Sequence, residues 1–85
     1  MPNEHTITIT VETTRGPKTL TVNKTTKVSE VIAQVVSLAG FNPGDRFELF
    51  LKSDLQHALQ AERPLVSYHV EDGTVLVLSQ IGSGV

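Results

Sequence analysis

Few side chains in this 85-residue chain could do chemistry: three histidines, seven lysines and arginines, nine acidic residues and no cysteine. His5, His57 and His69 stand 52 and 12 residues apart. None has a carboxylate at ligand-like spacing, so neither a metal site nor a general base is expected. The lack of cysteine removes thiolate ligands, thiol nucleophiles, redox motifs and disulfides, in keeping with a reducing compartment. Gly16, Gly40, Gly44 and Gly73 form no phosphate-cradling pattern, and each sits where a turn or cap needs it. No catalytic constellation, cofactor or metal is therefore predicted, and the chain is not expected to be an enzyme. What remains is a glycine-containing segment, Gly82-Ser83-Gly84-Val85, and a scatter of lysines, Lys18, Lys24, Lys27 and Lys52.

Charge and composition narrow the partners. A net charge of −2 gives no positive field to attract phosphate backbones, so nucleic acid is not expected. An apolar fraction of 39% without a run of about 20 apolar residues predicts a globular domain and no membrane partner. The first ten residues lack a basic and an apolar segment, so neither a secretory nor a transit signal is read there, and a cytoplasmic protein is expected. The length suits one small domain, expected to be monomeric.

The elements that would position these groups follow from period and punctuation. Ile7, Ile9 and Val11 alternate with Thr6, Thr8 and Thr10, as a strand with one buried face requires. After the turn residues Arg15-Gly16-Pro17, Leu20 and Val22 repeat the pattern, which predicts an antiparallel hairpin. From Val28 the spacing changes to that of an amphipathic helix, with Val31, Ile32, Val35, Val36 and Ala39 on its apolar face. Thr25 or Thr26 is placed to cap it, and Gly40 to end it in a left-handed turn. The valines would also suit a short strand, but the length and the glycine stop favour the helix. Phe47, Leu49 and Leu51 alternate with Arg46, Glu48 and Phe50 in a third strand. Residues 53–63 fit a short strand, a turn or a brief helix equally. Pro64 starts a helical turn, Glu71-Asp72-Gly73 is a turn, and residues 74–78 form a last strand.

This order resembles the β-grasp fold of ubiquitin-like proteins, and several stretches match in order and spacing. They are Leu38-Ala39-Gly40, the loop Phe41-Asn42-Pro43-Gly44-Asp45, the strand Phe47-Glu48-Leu49-Phe50, the turn Leu65-Val66-Ser67-Tyr68-His69-Val70 and the strand Thr74-Val75-Leu76-Val77-Leu78. The resemblance implies an α+β fold, a mixed four- or five-stranded sheet packed on one helix. It would occupy residues 1–78, with 79–85 a flexible tail. It also implies that Tyr68 is a structural anchor whose hydroxyl meets a nearby backbone group. The wording from Leu38 to Phe50 is similar to bacterial multi-ubiquitin-type domains, and the whole looks like the divergent bacterial ubiquitin-like modifiers.

In that family the C-terminal glycine is conjugated to target proteins through an isopeptide bond. The resemblance thus implies an activating enzyme, a carrier enzyme and a processing or deconjugating peptidase as partners. Gly84 falls where the reacting glycine lies, so Val85 would be removed first, with Gly82 and Ser83 leading into the site. Six extended residues, 79–84, would reach about 20 Å from the body. Ser83 in place of a glycine and the absence of arginines before it depart from ubiquitin's pattern. Alternation predicts Val75 and Val77 turned toward the helix, which would leave Phe50, Leu76 and Leu78 as an apolar patch for partners, unless residues 53–63 fold over it. Lys52 and Lys18 are candidate acceptors for chain formation. A non-covalent interaction module, of the kind found in bacterial secretion systems, is the alternative. A sulfur carrier ranks last because such chains end in Gly-Gly.

Overall fold

Threonine alternating with isoleucine and valine makes a strand with one wet and one dry face. In the computed structural model, which describes residues 6–42 and 44–82, this is β1 (Thr6–Thr13), with Ile7, Ile9 and Val11 buried. β2 (Gly16–Asn23) returns antiparallel, Ile9 facing Leu20 and Ile7 facing Val22. At the turn the Thr13 hydroxyl donates to the Gly16 carbonyl at 2.7 Å and accepts the Arg15 N–H at 3.0 Å. Gly16 has φ 96°, a conformation that penalises any Cβ.

α1 (Val28–Ala39) buries Val28, Val31, Val35, Val36 and Ala39 along one face. Neither Thr25 nor Thr26 caps it. The Thr26 hydroxyl accepts the Asn23 N–H instead, at 3.2 Å. The first helical amides, of Val28 and Ser29, donate to the carbonyls of Arg63 and Ala61 at 3.0 and 2.9 Å. The Lys27 N–H donates to the Glu30 carboxylate at 3.1 Å. Acceptors that a local threonine would supply thus come from a distant segment, which no local pattern announces. At the other end Gly40 closes the helix at φ 75°. Arg15, from the hairpin turn, donates through Nη1 to the Ala39 and Gly40 carbonyls, both at 3.1 Å, and lies 4.8 Å above the Phe41 ring. The helix has no basic residue in its own last turn, so the hairpin supplies the cation that its negative end favours.

β3 (Arg46–Leu51) is followed by turns through residues 53–63, neither strand nor helix. Leu59 drops from them into the core, and its N–H donates to the Leu49 carbonyl at 2.8 Å. A 3-10 turn (Leu65–Tyr68) follows Pro64. The Tyr68 hydroxyl accepts the Gln60 N–H at 2.8 Å, the anchoring role expected of it. The next turn is clamped to β1: Thr8 N–H donates to the Asp72 carboxylate and Gly73 N–H to the Thr8 carbonyl, both at 2.7 Å. β4 (Val75–Gly82) completes a four-stranded sheet in the order β2-β1-β4-β3. The β1–β4 pair at its centre is parallel and the others are antiparallel. Helix α1 covers one face of this mixed α+β sheet, and the buried aliphatic side chains of the sheet, the helix, Leu59, Leu65 and Val70 form one cluster.

Two expectations are corrected here. β4 runs to Gly82, with Glu48 facing Ser79, Phe47 facing Gln80 and Arg46 facing Gly82, so residues 79–82 belong to the sheet rather than to a flexible tail. Its facing is also the reverse of that read from the sequence: Leu76 and Leu78 are 0% and 5% exposed, while Val75 and Val77 are half-buried on the other face. The register sets this phase. Val11 pairs with Leu76, and Leu49 with Leu78, so buried residues on both neighbouring strands draw the leucines inward.

Candidate functional site

The sheet face turned away from α1 is the surface that the candidate patch must occupy. Directly paired residues share a face, so Phe50 on β3 lies beside Val77 on β4, and Val77 beside Glu12 on β1. Val75 occupies the same face, in register with Thr10. Phe50, Val75 and Val77 are all half-buried, and with Leu76 and Leu78 in the core they form the apolar centre of this face. Glu48 and Ser79 border it on one side and Glu12 on the other. Thr8, Thr10, Thr19 and Thr21 pair across β1 and β2, so the face passes from aliphatic and aromatic to hydroxyl-rich. The turns of residues 53–63 place Leu59 in the core rather than over the patch.

Lys52 sits at the edge of this patch. Its N–H donates to the Val75 carbonyl at 3.1 Å, and its ammonium donates to the Glu12 carboxylate at 2.8 Å, so a side chain from the end of β3 reaches over to β1. Both side chains remain about half-exposed to solvent. The pair gives the Lys52 side chain a fixed orientation over the patch edge. An acyl transfer to its amine would first require release from Glu12 and loss of a proton. Lys18 is differently placed. It faces Val11 on the edge strand β2, half-buried on the helix side of the sheet, away from the patch.

The sequence reading missed Val75, Val77 and the Glu12–Lys52 pair. A clue was present in residue size: in Val-Leu-Val-Leu the leucines alternate in step with Ile7, Ile9 and Val11, provided the two strands are laid parallel. Of the processing segment, Gly82 is the last residue of β4, and Ser83, Gly84 and Val85 lie outside the described residues. Just before it, the Gln80 amide donates to the Asp45 carboxylate at 2.9 Å and ties β4 to the loop that precedes β3.

The titratable groups suggest little further chemistry. His57 Nδ1 lies 3.0 Å from both Asp54 carboxylate oxygens, and the hydrogen bond from His57 holds the Asp54 carboxyl below its usual range. Both side chains are well exposed to water. Among the described residues no three His, Asp or Glu side chains gather as metal ligands would.

A hairpin, one helix, a third strand and a last strand laid parallel to the first define the ubiquitin-like β-grasp fold. No protein-family model and no curated protein matches the chain. Solved structures do. A protein designed de novo on the basis of ubiquitin superposes with a TM-score of 0.79 at 20% identity, covering 96% of each chain. The ubiquitin of Caldiarchaeum subterraneum gives 0.76 at 25% identity, covering 94% of this chain and 99% of its own. A ubiquitin-like domain of an Arabidopsis thaliana protein gives 0.75 at 20% identity, covering 94% and 82%. Each spans nearly all of the present chain.

Proposed function

We propose that this protein is a ubiquitin-like modifier, gripped by its partners on the Phe50–Val77 face and transferred through Gly84. It would not be an enzyme but the substrate of three: a peptidase that removes Val85, an activating enzyme that adenylates the Gly84 carboxylate, and a carrier that holds it before transfer to a target amine. The wording from Leu38 to Phe50 supports placing those enzymes in a bacterial ubiquitination-like pathway in the cytoplasm.

The observation that carries this reading is a β-grasp body whose last strand runs directly into Gly82-Ser83-Gly84. Glycine at the reacting position has no Cβ, so enzyme backbone can approach the carbonyl closely. The Phe50–Val75–Val77 patch gives those enzymes something to hold, since each large apolar group covered on association contributes roughly 1.5–3 kcal/mol before entropic costs.

Mass spectrometry of the full chain co-expressed with a peptidase that processes ubiquitin-like proteins tests the reading. The expected result is a product shortened by Val85 alone. The Gly84→Ala variant is then expected to lose transfer while keeping its melting temperature. An intact C-terminus in the presence of peptidase that is active on a control substrate would refute the processing step.

A second reading is favoured by the pairing of β4 as far as Gly82, which takes residues 79–82 into the sheet instead of leaving them as part of a strap. On this reading the protein is a non-covalent interaction module. Deleting residues 83–85 separates the two, because a module would keep its partner and a modifier would lose its acyl chemistry.

A further inference from the structure

We infer that the edge of β3 at Phe47, the part that residues 54–59 leave open, is a second docking surface, one that takes an extended partner segment with alternating apolar and basic side chains, added to the sheet beside Phe47. β3 is an edge strand, and its ladder shows which groups face outward. The Leu49 carbonyl accepts the Leu59 N–H at 2.8 Å and the Leu51 carbonyl accepts the Asp54 N–H at 2.9 Å, so the odd-numbered residues turn their backbone groups away from β4. Phe47 is next in that series. Among the described residues, nothing beyond the sheet pairs with its N–H or C=O. An edge of this kind is a template for one more strand.

Beside that edge runs a groove of about 610 Å³ between α1 and residues 58–62, lined by Ile32, Phe47, Ala58, Ala61 and Ile81. Ile81 is there because the β3–β4 register slips between Arg46 and Phe47: Gln80 faces Phe47, Gly82 faces Arg46, and Ile81 is the extra residue. A bulge of this type re-aims a side chain, and here it leaves an isoleucine 53% exposed on the groove wall. Alternate residues of an added strand would point into the groove, where these aliphatic groups favour valine or isoleucine. The two charged residues on the groove are Glu48 and Glu62, both acidic, and they select lysine or arginine at the intervening or flanking positions. Glu48 borders both this surface and the Phe50–Val77 face, but Ile81, Ala61 and Glu62 belong to the groove alone, so the two can be tested apart.

The test is an NMR titration of the full 15N-labelled chain with a capped octapeptide of alternating valine and lysine. Shift changes are expected at Phe47, Ala61 and Ile81. Affinity is expected to fall about tenfold in Ile81→Ser and again in Glu62→Lys, and by a similar factor for a valine–glutamate peptide of the same length. N-methylation of the peptide on one edge is expected to abolish binding, because it removes the main-chain donors while keeping the side chains. Shift changes centred on Phe50 and Val77, equal binding of the glutamate peptide, or no response at millimolar peptide would each overturn the proposal.

Discussion

The two halves of β4 differ in their neighbours. Val75, Leu76 and Val77 pair with Thr10, Val11 and Glu12 of β1 on one side, while on the other Leu76 and Val77 pair with Leu51 and Phe50 of β3 and the Val75 carbonyl accepts the Lys52 N–H. Residues 79–82 pair with β3 alone, across a bulge, and are tied at Gln80 to Asp45. The proximal half therefore belongs to the core, with Leu76 held by Val11 and Leu51 on its two neighbours and Leu78 by Leu49. The distal half is the end of an edge pair whose hydrogen bonds open more easily. Stability and availability are divided along one strand, and the available half leads toward Gly84.

The sharpest way to break this comparison is to truncate the proximal half. Leu76→Ala is expected to cost about 2–5 kcal/mol in urea unfolding, as a leucine deleted from a sealed core does. Val77→Ala, one residue on and on the outer face, is expected to cost less than about 1 kcal/mol. Equal losses would mean that the strand has no buried face. Hydrogen exchange sharpens the contrast between the halves: amides of residues 79–82 are expected to exchange at least about tenfold faster than those of 75–78, through local opening rather than global unfolding. Gln80→Ala, which removes the tie to Asp45, is expected to widen that ratio while lowering global stability by about 0.5 kcal/mol or less, since both partners are on the surface. Lys52→Gln is expected to have a comparably small effect. Loss of its exposed pair with Glu12 is expected to change stability by about 0–1 kcal/mol, an effect that fades with added salt.

The same strand shows what could and could not be read from the residues. β1 was legible because threonine and isoleucine contrast at every step, so both its period and its phase are written in the chain. Helix α1 was legible for the same reason at a different period, and Tyr68 through the motif around it. Residues 74–78 are apolar at four successive positions, so they state that a strand is buried but not which side faces in. That decision belongs to the pairing of Leu76 with Val11 and of Leu78 with Leu49, which lie far away in sequence. The helix start was illegible for a related reason. Its amides are satisfied by the carbonyls of Ala61 and Arg63, and carbonyls are supplied by every residue type. Residues 53–63 fold as turns whose one strong determinant, Leu59 entering the core, has no periodic neighbours to mark it. Of the candidate site, Phe50 was found by alternation, whereas Val75 and Val77 required the register.

The parallel pairing of β1 with β4 at the middle of the sheet also bears on how the molecule would meet mechanical force. If the chain is pulled from residues before β1 and after β4, the load acts along the two central strands and in opposite directions. Their hydrogen bonds must then rupture together in shear, not one at a time as in an unzipping hairpin. A body joined in this way would resist an unfolding motor longer than its size suggests, and its lifetime under tension would follow the unfolding rate rather than the equilibrium stability.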